Sequence, residues 1–234
     1  MSLCPRVSLL FGFACIATIL SGVGQAQQSV ATVSFSCDFP GSNPAHYSLT
    51  VTSTGQASYT SDGKLNTAQD SDSDAPSGGE AAAGTVFTLS AATTTRIFDL
   101  AKAARYFQNT IDSKKKNIAS TGDKTLVYHD GDKSNMANYN YSTVPAVQEL
   151  TALFQSLSSA VEFGRRLDYE YRYQKLALDD ELKRMEDTTT LQDVGPDLPA
   201  AVPVLQKIAD DPSVIIPVRE RAQRLLQHAG ATGR

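Results

Sequence analysis

Ala137-Asn138-Tyr139-Asn140-Tyr141 alternates with a period of two, and a few residues later the period changes. Beyond Pro145, Val147, Leu150, Phe154, Leu157 and Val161 recur at steps of three and four. Alternation marks a strand with one buried face, whereas the longer step marks a helix with one apolar stripe. After this point the rest of the chain is helical. The sequence therefore predicts an α+β fold: an antiparallel sheet with one packed helix, followed by an all-helical C-terminal extension.

Working upstream, residues 30–37 alternate and are rich in β-branched side chains, and Asp38-Phe39-Pro40-Gly41-Ser42-Asn43-Pro44 is a turn. Residues 47–51 and 57–60 flank Ser53-Thr54-Gly55-Gln56, the pattern of a hairpin with glycine in its loop. Residues 62–84 are rich in Ser, Asp, Gly and Ala and carry too little apolar surface to offset ordering, so a mobile loop is expected. Residues 85–89 return to a strand, and Ser90 is placed to cap a helix whose buried face is Ile97, Leu100, Ala101, Ala104 and Phe107. Residues 117–120 and 125–129 read as a hairpin turned at Thr121-Gly122-Asp123-Lys124. The expected order within a domain spanning 27–143 is β-β-β-α-β-β-β.

Downstream, a second apolar register runs through Leu153, Leu157, Ala160, Gly164, Leu167 and Tyr171 to Leu178, Leu182 and Met185. Residues 144–187 form one long helix or two, and Gly164 is the expected break, because glycine costs a helix about 1 kcal/mol relative to alanine. Charged residues become dense after Gly164, in mixed-sign runs such as Asp179-Asp180-Glu181-Leu182-Lys183-Arg184 that read as solvated helix faces. A linker at 188–197 leads to a helical hairpin at 198–229, turned at Asp210-Asp211-Pro212-Ser213, with Ser213 as the expected second N-cap.

The beginning of the chain is an address. Arg6, an apolar stretch over residues 7–20 and the small-residue run Ser21-Gly22-Val23-Gly24-Gln25-Ala26 form a secretory signal over residues 1–26, with cleavage after Ala26. An uncleaved anchor would need an apolar stretch of about 18 residues and a basic far flank. A lipid anchor would need its cysteine at the end of the apolar region, and Cys15 lies in the middle. The protein is thus expected to be exported, periplasmic or extracellular, with no membrane span after cleavage. Of three cysteines only Cys37 would remain, so no internal disulfide is expected. The net charge of −4 becomes −5 when Arg6 leaves, and no global basic field exists to hold nucleic acid.

Little in the mature sequence carries chemistry. Asp70-Ser71-Asp72-Ser73-Asp74 begins like a calcium loop, but Ala75 and Ala81 stand where glycine and glutamate are needed. Cys37, His46 and His129 are the weak candidates for metal or nucleophilic chemistry. They lack CxxC, HxH or HExxH spacing, and a lone cysteine in a strand is ordinarily a small buried hydrophobe. His228, near the end of the last helix, suits the helix dipole. No nucleophile elbow, dinucleotide fingerprint or phosphate loop is present, so no catalytic residue, metal or cofactor is assigned. Lys114-Lys115-Lys116 reads as a solvated turn or a protected strand edge. Tyrosine is the one enrichment. Tyr139 and Tyr141 share a strand face and Tyr169 and Tyr173 a helix face; with Arg165, Arg166 and Arg172 they form a candidate partner surface, or else pack the helix onto the sheet.

Two resemblances add to this reading. Val202-Pro203-Val204-Leu205-Gln206-Lys207-Ile208-Ala209-Asp210-Asp211-Pro212, followed by Val218-Arg219-Glu220-Arg221-Ala222-Gln223-Arg224-Leu225-Leu226, resembles a HEAT-type helical repeat. Only one copy exists and Pro217 falls within the second helix, so the resemblance implies a hairpin that docks on the long helices. The stretches at 38–47, 124–128 and 174–179 are similar to a family of uncharacterised exported bacterial proteins, which implies export and α+β organisation. The resulting expectation is an exported, non-catalytic protein that binds another envelope or secreted protein. A hydrolase with an unrecognised histidine and carboxylate site, and a small-ligand-binding domain, are the alternatives.

Overall fold

The structure, a computed structural model, describes residues 30–65, 84–115, 119–131, 133–187, 198 and 200–231. The expected signal segment, the acidic run at 70–74, most of the loop at 62–84 and the linker at 188–197 lie outside these residues. Six antiparallel strands form one sheet: β1 (Thr32–Asp38), β2 (His46–Thr52), β3 (Gln56–Ser61), β4 (Thr85–Thr88), β5 (Asp123–Asp130) and β6 (Lys133–Tyr139). Their order is β4-β3-β2-β1-β5-β6, so β1 is central and a meander runs outward on either side of it. With the helices concentrated in the C-terminal half, the arrangement is α+β.

The alternation read in the sequence sorts the two sheet faces. Val33, Phe35 and Cys37 of β1 are buried beside Leu49 and Val51 of β2 and Leu126 of β5. The opposite face is rich in hydroxyls, with Ser34 bonded to Thr50 at 2.9 Å and Ser48 to Thr60 at 2.7 Å across the strands. Helix α1 (Ala91–Ala103) begins where Ser90 Oγ accepts from the backbone N–H of Thr93 at 3.1 Å, satisfying one orphan donor of the first turn. Helix α2 (Pro145–Tyr173) lies beside it and, at about 1.5 Å per residue, is roughly 43 Å long.

That length lets α2 serve two cores. Its first half places Val147, Leu150, Phe154, Leu157 and Val161 against the sheet, where the Phe154 ring stacks on Phe35 at 5.3 Å between centroids. Its second half gives Ala160, Phe163 and Leu167 to a separate cluster shared with α3 (Leu178–Asp187), α4 (Val202–Asp210) and α5 (Ile216–Ala231).

Three local expectations are corrected. The last hairpin turns at Gly131, not at 121–124, because Asp130 pairs with Lys133 and Gly131 takes up the positive φ of 55° that so tight a connection requires. Strand β6 is accordingly Lys133–Tyr139, and the order is β-β-β-β-α-β-β, with four strands before the helix and two after it where three and three were expected. Helix α2 does not break at Gly164; a Cβ there would lie 3.2 Å from Ala200 O and from Ala201 Cα. Glycine is required for close packing of the hairpin, not for a bend. The chain bends instead at Gln174 (φ −143°, ψ 55°). Finally, α5 begins at Ile216, so Pro217 falls in the first turn, where its missing N–H costs nothing. Ser213 stands in the preceding turn and does not cap that helix.

Candidate functional site

The three weak candidates for chemistry do not come together. His46 pairs with Asp38 at one end of the central strands, and His129 pairs with Thr32 at the other. Six residues of strand separate these positions, roughly 20 Å. Both histidines are exposed, whereas Cys37 lies on the buried face, opposite in direction to its neighbour Asp38. Burial pushes the Cys37 thiol up, which keeps it protonated, although Lys124 across the strand pulls the other way. The Lys124 ammonium is itself buried and donates to Thr121 O, Thr121 Oγ1, Gly122 O and Asn140 O within 3.1 Å. It ties the loop before β5 to the end of β6. Among the described residues no group of three or more His, Cys, Asp or Glu side chains could hold a metal ion.

Of the tyrosines and arginines that the sequence marks as a partner surface, three are occupied within the fold. Tyr139 is buried and donates to Thr151 Oγ1, whose own hydroxyl goes to Val147 O. Arg165 holds both carboxylate oxygens of Glu162, at 2.8 and 3.0 Å. Glu162 also accepts from Tyr59 at 2.8 Å and Ser61 at 2.6 Å, so this buried carboxylate clasps α2 to β3. Arg166 reaches Glu181 of α3 through its Nε at 2.7 Å. Tyr141 remains partly exposed and accepts from Gln148.

Tyr169, Arg172 and Tyr173 do lie together, at the elbow where α2 ends. The rings of Tyr169 and Tyr173 are 5.1 Å apart, and Arg172 pairs with Asp168 one turn earlier. Tyr173 is 70% exposed, and Leu176, in the single 3-10 turn Lys175–Ala177 that follows, is 94% exposed. The elbow is pinned from behind. Lys175 Nζ donates to Asp211 Oδ2 at 2.7 Å and to Ser213 Oγ at 2.6 Å, and Tyr171 donates to the same Asp211 oxygen at 3.0 Å. The bonds from Lys175, then from Ser213, hold the Asp211 carboxyl well below its usual range. Ile215 and Ile216, just past this turn, are also mostly exposed. Sequence reasoning missed Leu176 and the isoleucines, which stand in or beside the turns between helices, where no periodic stripe tells which side chains face outward.

Among the described residues no helix is long and apolar enough to cross a membrane. No family model, curated protein or solved structure matches the chain.

Proposed function

We propose that this is an exported, non-catalytic binding protein, and that the elbow between α2 and α3 contacts another envelope or secreted protein. The observation that carries the reading is Leu176, a large apolar side chain 94% exposed beside the stacked Tyr169–Tyr173 pair on a joint held by the Lys175–Asp211 bond. Tyrosine and leucine presented on a braced turn lose little conformational freedom on association, so their burial yields net affinity. The surrounding charges, Arg172 with Asp168 and Lys175 with Asp211, form the polar rim such a contact uses. The hydrolase alternative draws no support from the positions of His46, His129 and Cys37, and the acidic composition speaks against nucleic acid as the partner.

The test is affinity capture from the native envelope fraction with the wild-type protein and with a Tyr173→Ala/Leu176→Ser variant. Both side chains are largely in water, so the variant should melt like the wild type. A specific protein captured by the wild type alone supports the reading. A variant that captures the same partners would exclude the elbow as the contact.

A further inference from the structure

At the end of the sheet farthest from the Glu162 clasp, α1 gives way to the short turn Arg105–Phe107 and faces the β5–β6 hairpin. Arg105, Tyr106 and Phe107 have φ of 54°, 52° and 62°, three successive non-glycine residues in the left-handed region. Each such residue costs on the order of 1 kcal/mol or more, and backbone strain of this kind persists only where neighbouring contacts impose it. The contacts are visible on two of the three. Phe107 is 2% exposed in the core, and the Tyr106 ring lies 4.4 Å from that of Tyr128. Arg105 is exposed and has no partner among the described residues, so nothing within the fold uses its guanidinium.

What it does face is a cleft of about 420 Å³, lined by Lys102, Arg105, Tyr106, Tyr128, Asp130 and Lys133 among others. That size suits a small molecule. Among the described residues that line it, three cations meet a single carboxylate, and Asp130 already accepts from the Tyr128 hydroxyl at 3.3 Å. Lys102 has an ordinary role in the last turn of α1, where a cation suits the dipole, and Lys133 on an edge strand discourages sheet-to-sheet pairing. Neither role accounts for Arg105, or for a strained backbone that sets it beside two packed tyrosines in a protein of net charge −4. Asp132 lies outside the described residues.

We propose that this cleft binds a sugar-sized anion, with its carboxylate or phosphate oxygens taken by Arg105 and Lys133 and its ring laid against Tyr106. A guanidinium and an ammonium converging on one cleft match the oxygens of a carboxylate or a phosphate, and the tyrosine supplies an apolar face with a polar edge. The site is separate from the elbow and does not depend on it.

Calorimetric titration of the mature protein with glucuronate and with glucose 1-phosphate tests this, with glucose and inorganic phosphate as controls. Binding of either ring anion, at least tenfold tighter than glucose and inorganic phosphate, is the expected result, and the anion preferred tells whether a carboxylate or a phosphate is the natural group. The decisive variant is Arg105→Gly, since glycine adopts a left-handed backbone freely and the variant should melt no lower than the wild type. It should bind the preferred anion at least tenfold more weakly. The proposal is overturned if neither anion binds at roughly 10 mM, if glucose binds equally well, or if Arg105→Gly leaves affinity unchanged. Inorganic phosphate binding as tightly as glucose 1-phosphate would overturn it as well, because the ring would then make no contact.

Discussion

Glu170 illustrates how one side chain can set the pH response of the protein. It is 4% exposed on α2, and its Oε2 has no hydrogen-bond partner among the described residues. Burial first, and then the charge of Glu181, push its pKa up to about 7 against the opposing pull of Arg184 and Arg166, with Asp180 adding to the rise. The arginines are already engaged by Glu181, which is why they do so little for Glu170. In the unfolded chain the same carboxyl titrates near its ordinary value of 4.5, so between that pH and about 7 the folded protein holds the extra proton. Stability from this group is therefore greatest below about pH 4.5, falls as pH rises from there to about 7, and levels off above it, a loss of about 3 kcal/mol. Glu170→Gln keeps the shape without the charge. Urea unfolding should find it as stable as the wild type near pH 4 and more stable by a comparable amount near pH 8. A wild-type curve that stays parallel to that of the variant across this range would show that Glu170 ionises freely. At Gly164 the constraint is steric: a Cβ would already lie 3.2 Å from two backbone atoms of the α4 entry. Gly164→Val should cost about 2 kcal/mol by overpacking, read as a lower urea midpoint with unchanged slope.

Between elements, the strongest polar link is the Glu162 clasp. Glu162→Ala would leave the Tyr59 and Ser61 hydroxyls and the Arg165 guanidinium without their shared acceptor, at a cost of about 3 kcal/mol. Part of that cost comes from the stranded guanidinium, so the Glu162→Ala/Arg165→Met pair should lose less than the sum of the single changes in urea unfolding. Exact additivity would mean that the ion pair contributes nothing to the clasp. None of this could be read from the sequence, because Tyr59 and Glu162 lie 103 residues apart and neither has a neighbour that marks it. What could be read follows from local periodicity. Strands β1 to β4 and the cap at Ser90 stand within a residue or two of expectation, because alternation and capping are properties of short windows. The last hairpin was misplaced for a related reason: two glycine-containing turns compete there, and only the pairing of Asp130 with Lys133 selects Gly131 over Gly122. Gly122 has its own task, since a Cβ there would come within 2.9 Å of Phe39 Cβ. Charge and a polar tip leave Arg165, Arg166 and Tyr139 open to two readings, a partner surface or packing within the fold, and the partners that separate them, buried carboxylates and a hydroxyl, are supplied only by the fold.

At the scale of the whole molecule, two hydrophobic clusters are joined chiefly by one continuous helix, and they are not equally well built. The sheet cluster is closed by cross-strand pairing along all six strands and by the Glu162 clasp. The helical cluster holds two buried polar atoms with no hydrogen bond among the described residues, Glu170 Oε2 and Arg219 Nε, each worth about 1–3 kcal/mol of lost stability. Its ion pairs offset this only in part. Burial pushes the Glu186 carboxyl up, but the bonds and charges of Arg224 and Arg221 together hold it below its usual range, and these partly exposed pairs add modestly. Helices α3, α4 and α5 with the last turns of α2 should therefore open as a unit below the free energy of global unfolding, while β1 and β5 open only with the whole protein. Native-state hydrogen exchange near pH 8 should show the amides of α5 less protected than those of β1 by roughly thirtyfold, or about 2 kcal/mol. Because Glu170 belongs to the helical unit, the gap should narrow toward pH 5 in the wild type, after correction for intrinsic exchange, and stay constant in Glu170→Gln. Equal protection of α5 and β1 at both pH values would mean that α2 couples the two cores into a single cooperative unit, and that the unpartnered atoms at the elbow are tolerated at the expense of the molecule as a whole.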